Sequence, residues 1–232
     1  MISVCIPTYN GEKYIHAQLE SILNQLSSED EVIISDDSST DNTIQIIKSF
    51  NDSRIKLLEN NTFHSPIYNL ENALKNANGD YIFLSDQDDI WKSDKVAIVM
   101  SYLHKSIMVI HDADIIDGNG NLLYSSFYTQ NKTRKSRIYN FIKNGYLGCC
   151  IAFNRILLEK ALPFPKSLPM HDIWLGNVAA FKYKKVQFIP QKLISYRRHK
   201  GNISIASEKS YRHIKQRLSD RFIIFKNLLI RH

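Results

Sequence analysis

The chain has 232 residues, of which 44% are hydrophobic and 23% are charged, and its formal net charge is +7. This composition is typical of a globular protein with a sizeable core, and it excludes a disordered, collagen-like or disulfide-rich chain. The three cysteines include one adjacent pair, Cys149 and Cys150, so they predict reduced, buried thiols rather than a disulfide framework.

The first 84 residues alternate short β-rich runs with amphipathic segments. Strands are predicted at residues 3–6, 32–34, 55–58 and 81–84, and helices at 15–26, 44–50 and 67–77. This alternation predicts an α/β fold, with a mostly parallel sheet flanked by helices. In such sheets, ligands bind beyond the carboxyl ends of the strands.

The rhythm loosens after residue 88. We expect a helix at 94–104, a strand at 108–111, a helix at 172–182, and two strands at 186–189 and 193–196. Residues 118–137 are polar and irregular, which is typical of a loop that faces a substrate.

The C-terminal part of the chain is strongly basic. Residues 182–232 contain 14 Lys and Arg against two acids, a balance of +12, whereas residues 1–181 contain 16 against 21, a balance of −5. A basic amphipathic helix can lie on an anionic membrane surface. The alternative is that its apolar stripe packs on the body, or on the second subunit of a homodimer. Nucleic acid is not expected as a partner, because no nucleic-acid-binding motif accompanies the charge. The stripe has helical spacing and consists of Ile214, Leu218, Phe222, Phe225 and Leu229.

The first two predicted strands end in polar segments, PTYNG from residue 7 and DDSSTD from residue 36. Neither GxGxxG nor GxxxxGK occurs in the sequence, which argues against dinucleotide dehydrogenases and P-loop NTPases. Carboxylates beside an aromatic ring can instead hold a nucleoside. Asp36 and Asp37 would accept hydrogen bonds from the base or the ribose, and Tyr9 would stack on the base.

The fourth predicted strand ends in SDQDDIW, from residue 85, with three carboxylates in four residues. Such acids repel each other unless a cation compensates their charge. Magnesium and manganese prefer oxygen ligands and are the natural partners. The alternative is a solvated acidic turn that caps the following helix.

These motifs, in this order, resemble glycosyltransferase family 2 of the GT-A fold. The matching segments are IPTYN from residue 6, SDDSSTD from residue 35, LSDQDDIW from residue 84, MHDIWL from residue 170 and YRRH from residue 196. The resemblance implies a GT-A (Rossmann-like) domain over residues 1–205, followed by the basic helical tail over 206–232. It also implies transfer of a sugar from a nucleoside-diphosphate donor.

The resemblance assigns roles to the acids at the strand ends. Asp88 would bind Mn²⁺ or Mg²⁺, which bridges the donor diphosphate and acts as a Lewis acid toward the leaving group. Asp86 would face the ribose or the sugar, and Asp36 would assist Asp37. The residues matching the nucleotide-binding positions are Pro7, Tyr9, Asp36, Asp37 and Asp86.

Asp172 matches the catalytic acid position of the family and would accept the proton of the acceptor hydroxyl. A single carboxylate in this role implies inversion at the anomeric carbon. From the pattern alone, Asp172 is equally well read as the N-cap of the next helix. The preceding His171 resembles a subset with rhamnosyltransferases, so dTDP-rhamnose is the first donor expected and UDP-hexoses follow.

The YRRH segment supplies a further group of candidates. The resemblance places His199 near the metal or the diphosphate, with Arg197 and Arg198 available for phosphate oxygens. Residues 145–153 and Trp174 would shape the acceptor side, and Trp91 is expected in the core.

The sequence thus predicts an inverting, metal-dependent transferase that uses a UDP- or dTDP-sugar and a cell-surface glycan or lipid-linked glycan acceptor. The chain shows neither a leader pattern nor a run of about 18 apolar residues, so we expect a cytoplasmic protein, peripheral on the inner membrane face. Two alternatives are a metal-dependent nucleotidyltransferase or phosphohydrolase, and a non-catalytic membrane- or glycan-binding module.

Overall fold

The computed structural model describes residues 1–199 and 214–230. Its strands are β1 (Ile2–Thr8), β2 (Glu31–Asp36), β3 (Ile55–Leu58), β4 (Tyr81–Leu84), β5 (Ile90–Trp91), β6 (Met108–Asp117), β7 (Leu122–Tyr124), β8 (Ile151–Asn154) and β9 (Val186–Arg198). Its helices are α1 (Ile15–Leu23), α2 (Thr43–Ser49), α3 (Pro66–Asn76), α4 (Lys95–Leu103), α5 (Phe127–Asn131), α6 (Arg137–Ile142), α7 (Leu157–Ala161), α8 (His171–Val178) and α9 (Ile214–Ile230).

All nine strands belong to one sheet, in the order β3-β2-β1-β4-β8-β6-β9-β5, with β7 paired to β6. The strands β3, β2, β1 and β4 form one parallel group, and β6 is parallel to β9. Only β8 runs between these two groups, antiparallel to both β4 and β6. Therefore β6 and β9 point the same way as β1 and β4, and the predicted mostly parallel α/β sheet is confirmed.

The core follows from the predicted patterning. In β1, the central residues Val4, Cys5 and Ile6 are all buried, as expected for a strand covered on both faces. In α1, Ile15, Leu19 and Ile22 form one buried face at a spacing of three to four residues. Apolar periodicity thus predicted these elements correctly, because the apolar positions are the ones that the fold buries.

Three short strands, β5, β7 and β8, were not predicted. The strand β8 overlaps the segment assigned to the acceptor side, and β7 lies with the short helix α5 in the segment expected to be an irregular loop. The two strands expected at 186–189 and 193–196 are one strand, β9, which continues past Pro190. Its pairing with β6 shifts register between His111 and Asp112, opposite that proline, because proline has no N–H to donate to the ladder.

The carboxyl edge of the sheet collects the segments that carry polar motifs. Parallel strands end at a common edge, so the residues after β1, β2, β4 and β9 meet there. Since β8 runs the opposite way, it begins at this edge, preceded by a 3₁₀ turn at Gly148–Cys150. Sequence segments separated by more than 100 residues are brought together in this way.

The C-terminal helix α9 packs on α8, but not through the predicted stripe. Ile224 and Leu228 are 0% and 7% exposed, whereas the described stripe residues are 52% to 66% exposed. The expectation that the stripe covers the body is therefore wrong. The side chain of Ile214 and the boundary expected at residue 205 lie outside the described residues. The exposed stripe residues are Leu218, Phe222, Phe225 and Leu229.

Among the residues that the structure describes, none of the helices combines the length and the hydropathy needed to cross a bilayer.

Candidate active site

The loop after β2 places Asp36 and Asp37 in different surroundings. Asp36 is fully buried, and its carboxylate accepts hydrogen bonds from the Thr8 hydroxyl and from the amide and hydroxyl of Ser39. This side chain joins the two loops, so direct contact with a nucleotide is not supported by its geometry. Asp37 accepts from the backbone amides of Phe63 and Ser65 at 2.6 and 3.2 Å. Each of its oxygens keeps a lone pair for a further donor.

The loop after β1 is joined to the acidic loop after β4. The side-chain amide of Gln87 accepts from the Tyr9 amide at 2.9 Å and donates to the Tyr9 carbonyl at 3.0 Å. Gly11 allows this contact, since a Cβ there would lie 2.5 Å from Gln87 Oε1. The Tyr9 ring is 54% exposed and Pro7 is partly buried, so the ring faces outward beside Asp37's loop.

Asp88 and His199 meet at the carboxyl edge although 111 residues separate them. His199 Nε2 lies 2.7 Å from Asp88 Oδ2, and the imidazole packs against the Tyr14 ring with centroids 4.9 Å apart. The carboxylate oxygen suits both Mn²⁺ and Mg²⁺, whereas the imidazole nitrogen favours a transition metal such as Mn²⁺. Tyr14 was not singled out in the sequence because no motif contains it.

The two arginines of the YRRH segment differ in their contacts. Arg197 is buried, donates its backbone amide to Asp89 Oδ1 at 2.9 Å, and donates Nε to the Asp88 carbonyl at 2.8 Å. Its guanidinium also lies 4.7 Å from the Tyr14 ring centroid. Arg197 therefore holds the acidic loop against β9, and the expectation that it reaches donor phosphate is not supported by these contacts. Arg198 is partly buried between aromatic rings.

An acidic cluster, in which Asp89 and Cys149 are buried and Asp86 is partly buried, lies next to this pair. Carboxylate oxygens of Asp86 and Asp89 and the Cys149 sulfur all lie within 4.8 Å of one another. Burial, followed by the charges of Asp88 and Asp172, raises the pKa of Asp86 to about 7. Burial also raises the pKa of the Cys149 thiol well above its ordinary value. A protonated thiol is a poor ligand for Mg²⁺ or Mn²⁺, so Asp88 and His199 fit such an ion better than this cluster does.

Lys95 supplies a positive charge near this cluster, and it belongs to none of the sequence motifs. Its side chain is fully buried at the start of α4, and its Nζ donates to the Cys149 carbonyl at 2.9 Å. The Nζ also lies 4.0 Å from the Trp91 ring centroid, within range of a cation–π contact. Burial lowers the pKa of Lys95 to about 8, so the ammonium form prevails at neutral pH.

Asp172 lies in the first turn of α8, and the helix begins at His171 with Met170 as its N-cap. The reading of Asp172 as the N-cap residue is therefore wrong. Its carboxylate accepts from the Ile173 amide at 2.6 Å and from the Asn144 side chain at 3.5 Å. Burial raises the pKa of Asp172 to about 6, despite these hydrogen bonds. The group is thus ionised at neutral pH and is a stronger base than an exposed aspartate.

Polar groups without partners surround Asp172. Within the described residues, the buried Tyr146 hydroxyl and His171 Nδ1 have no hydrogen-bond partner. Burial lowers the pKa of His171 to about 4, so its imidazole is neutral at pH 7. Buried polar atoms usually find partners, so these two are candidates for contact with the hydroxyls of a bound sugar.

The two tryptophans belong to the core. Trp174 is fully buried, and its indole N–H donates to the Ala161 carbonyl at 2.9 Å. Its predicted role on the acceptor side is therefore not supported. Trp91 packs against Phe83 with ring centroids 5.7 Å apart, as expected for a core residue.

The mostly parallel sheet, with an acidic loop after its fourth strand and a buried aspartate facing it, defines the class of the protein as a glycosyltransferase of the GT-A fold. The profile of the family "Glycosyl transferase family 2" matches residues 3–162. The chain therefore belongs to glycosyl transferase family 2. This confirms the family and the enzyme class that the motifs indicate.

Similar proteins include bacterial enzymes with different donors. The chain is 30% identical over 181 residues to the UDP-Glc:alpha-D-GlcNAc-diphosphoundecaprenol beta-1,3-glucosyltransferase WfgD of Escherichia coli, covering 76% of this chain and 69% of that protein. It is 29% identical over 212 residues to the dTDP-rhamnosyl transferase RfbG of Shigella flexneri, covering 84% of this chain and 72% of that protein.

Solved structures agree on the fold. Residues 1–349 of Staphylococcus aureus TarS, in complex with UDP-GlcNAc, match with a TM-score of 0.74 and 22% identity over 99% of this chain. The mannosyltransferase PcManGT of Pyrobaculum calidifontis, in complex with GDP-Man and Mn²⁺, matches with a TM-score of 0.65 and 20% identity over 99% of this chain. The chain spans 66% and 64% of the length of these two solved chains.

Proposed function

We propose that this protein transfers a sugar from a nucleoside-diphosphate donor to a hydroxyl of a glycan acceptor, with inversion at the anomeric carbon. The observation that carries the proposal is the proximity of Asp86 to both Asp88 and Asp172. The charges of Asp88 and Asp172 both raise the pKa of Asp86, so the proposed donor site and the proposed base lie near one another.

The donor would lie across the loops after β1, β2 and β4. Tyr9 would stack on the base and Asp37 would accept hydrogen bonds from the nucleoside, since both face the carboxyl edge of the sheet. Asp36 acts indirectly, by fixing the loop that carries Asp37. Asp86 is only partly buried and would face the ribose or the sugar.

Asp88 and His199 would hold Mn²⁺ or Mg²⁺ beside the donor diphosphate. The bound ion would offset the negative charge that develops on the departing nucleoside diphosphate. The spacing of 2.7 Å between Asp88 Oδ2 and His199 Nε2 supports this assignment, because it brings two ligand types to one point. Arg197 would keep the acidic loop in register through the Asp88 carbonyl.

Asp172 would take the proton from the attacking hydroxyl as the new glycosidic bond forms. A pKa of about 6 leaves the carboxylate ionised at neutral pH and brings its basicity closer to the working range of a general base. Asn144 donates to the carboxylate and would orient it. Tyr146 and His171 would contact the acceptor sugar.

The donor sugar and the acceptor follow from the relatives rather than from the geometry. UDP-glucose and dTDP-rhamnose are both proposed as donors, since WfgD and RfbG are similarly close to this chain. The proposed acceptor is a lipid-linked or cell-surface glycan at the cytoplasmic membrane face. The exposed apolar side chains of α9, next to Arg221 and Lys226, support a peripheral contact with an anionic membrane.

The test measures nucleotide release from UDP-glucose, dTDP-rhamnose and GDP-mannose, with Mn²⁺, Mg²⁺ or a chelator present. We expect one donor to yield nucleoside diphosphate and free sugar in a metal-dependent reaction. Asp88→Ala should reduce donor affinity at least roughly tenfold with metal present, since an anchoring ligand is lost. Asp94→Ala, in an exposed acid nearby, is the matched control and should leave affinity unchanged.

Three results would contradict the proposal. Release of nucleoside monophosphate or sugar phosphate would indicate phosphoryl chemistry instead of sugar transfer. Absence of nucleotide binding would indicate a non-catalytic module. Equal loss of affinity in Asp88→Ala and Asp94→Ala would remove the special role of Asp88.

A further inference from the structure

Two neighbouring cavities lie at the turn that follows α8, away from the acids described above. The first, called the basic cavity, has a volume of about 180 Å³ and carries the cationic side chains of Lys135, Arg137 and Lys184. The second, called the apolar cavity, has a volume of about 360 Å³ and lies between α6, the π-helical turn Ala179–Tyr183 and α9. Its walls include Ile138, Phe141, Phe181, Phe225 and Leu229.

The two cavities are adjacent. Arg137 lines the basic cavity, and the next residue of α6, Ile138, lines the apolar cavity. The Arg137 guanidinium lies 5.8 Å from the ring centroid of Phe181, which lines the apolar cavity. Cationic groups and an apolar surface therefore meet at one boundary, and a single molecule can contact both.

The charge around the cavities restricts what can occupy them. Lys182 lines the apolar cavity, so together with the three cations of the basic cavity four of the described lining residues are cationic. None of the described lining residues is acidic. A second copy of this chain, docked through the same surface about a two-fold axis, would bring these cations close to one another. A ligand with an anionic head and an apolar chain satisfies both cavities, since lysine and arginine bind phosphate oxygens by charge-assisted hydrogen bonds.

The basic cavity is also close to the proposed base. Tyr146 lines this cavity, and the charge of Asp172 contributes to the raised pKa of the Tyr146 hydroxyl. The Tyr146 ring packs directly against Gly176, one turn after Asp172 in α8. A phosphate held in the basic cavity would therefore contact Tyr146, which itself packs on α8.

We propose that the two cavities form a binding site for a lipid phosphate, with the phosphate or diphosphate in the basic cavity and the apolar chain in the apolar cavity. The site would hold the lipid end of the acceptor while its sugar reaches Asp172. This inference rests on the proposed function for its biological meaning, but lipid binding is measurable without any sugar donor.

The test is calorimetric titration of the full chain with farnesyl phosphate as a monomer, in the absence of nucleotide sugar. Farnesol and inorganic phosphate are the comparison ligands, and each should bind at least roughly tenfold more weakly, because each lacks one of the two contacts. Lys135→Gln/Arg137→Gln should weaken farnesyl phosphate binding at least roughly tenfold. Phe225→Gln should weaken it by roughly fivefold, since an apolar contact is lost.

Matched controls separate these effects from general changes of charge or hydropathy. Lys166→Gln/Lys192→Gln and Leu122→Gln change exposed residues outside both cavities and should bind like the wild type. Thermal unfolding of each variant checks that it is folded, and Arg137→Gln alone replaces the double variant if that variant is not folded.

Three outcomes would overturn the inference. Equal affinity for farnesol would remove the phosphate site, and equal affinity for inorganic phosphate would remove the chain site. Binding to phosphatidylglycerol vesicles without any binding of monomeric farnesyl phosphate would indicate a bilayer contact instead. Because no donor is present, failure of the sugar-transfer proposal would leave this measurement unaffected.

Discussion

At the scale of single residues, the acids of the candidate active site have different properties because their burial and hydrogen bonds differ. Burial is the main cause that raises the pKa of Asp172 to about 6 and the pKa of Asp86 to about 7. The carboxylate oxygens of Asp36 accept three hydrogen bonds from within the protein. Residues of one chemical type thus differ because their surroundings differ: Asp36 anchors a loop, whereas Asp172 is the proposed base and Asp86 the acid proposed to face the donor.

The pKa of Asp172 leads to a prediction about pH. A base must be unprotonated to act, so the transfer rate should rise as pH increases through about 6 and should level off above about 7. Asp172→Asn should lower the rate at least roughly a hundredfold while donor affinity changes little. Rates measured from pH 5 to 8, together with donor titrations, test both points. A flat profile in the wild type, or equal losses of rate and affinity, would count against this role.

Lys95 leads to a prediction about stability. Removing its charge would leave Asp86 and Asp89 buried without their nearby cation, and would leave the Cys149 carbonyl without its donor. Lys95→Met should therefore reduce the free energy of unfolding by roughly 3 kcal/mol. Lys48→Met, which breaks an exposed pair with Glu59, should cost less than about 1 kcal/mol.

Urea unfolding at pH 7 measures both Lys95→Met and Lys48→Met. Similar small losses in the two variants would mean that the buried ammonium is not needed to compensate the acids.

Sequence motifs contain some of the residues that meet at the candidate site and lack others, for a physical reason. Asp88 and His199 stand in segments with unusual local composition, and the fold brings them within 2.7 Å. Lys95 and Tyr14 stand in ordinary amphipathic helices or turns, where a lysine or tyrosine usually faces solvent. Only the tertiary structure decides that these two are turned inward.

At the scale of elements, apolar periodicity predicted the helices and strands that pack a continuous face. It failed for β5, β7 and β8, each of two to four residues, because pairing partners rather than local pattern define such short strands. It also divided β9 at Pro190, whereas the strand absorbs the proline through a change of register against β6.

The helix α9 shows how a correct pattern can be assigned to the wrong surface. Residues at the predicted stripe do lie on one face, but Ile224 and Leu228 make the buried contact from another face. Hydropathy alone favoured the wider row of large apolar residues. The narrower face became buried because α8 offers a complementary surface there.

This arrangement predicts opposite results for two similar substitutions in α9. Ile224→Ala should reduce the free energy of unfolding by about 2–4 kcal/mol, because it removes methylene groups from a fully buried position. Leu218→Ala, at a position that is 65% exposed, should change it by less than about 0.5 kcal/mol. Urea unfolding curves of the two variants test the packing, and a larger loss in Leu218→Ala would contradict it.

At the scale of the whole molecule, one sheet edge brings together the residues of the proposed sugar-transfer site. The fold class could be predicted because alternating strands and helices dictate parallel pairing, and parallel pairing places strand ends together. The position of α8 against that edge could not be predicted, since it depends on the antiparallel insertion of β8. The excess of basic residues could be read from the sequence. Which of them lie on α9 and which line the basic cavity could be seen only in the structure.

The clasp between Gln87 and the Tyr9 backbone has an evolutionary consequence. Gln87 holds the main chain at position 9 and leaves the aromatic ring out of the contact. With Tyr9 in its proposed role of stacking on the base, a lineage could exchange that ring for another side chain, and so change its nucleobase preference, without disturbing the carboxylates that follow β4. Nucleotide preference, set in the loop after β1, and ion binding, set in the loop after β4, could then change independently during evolution.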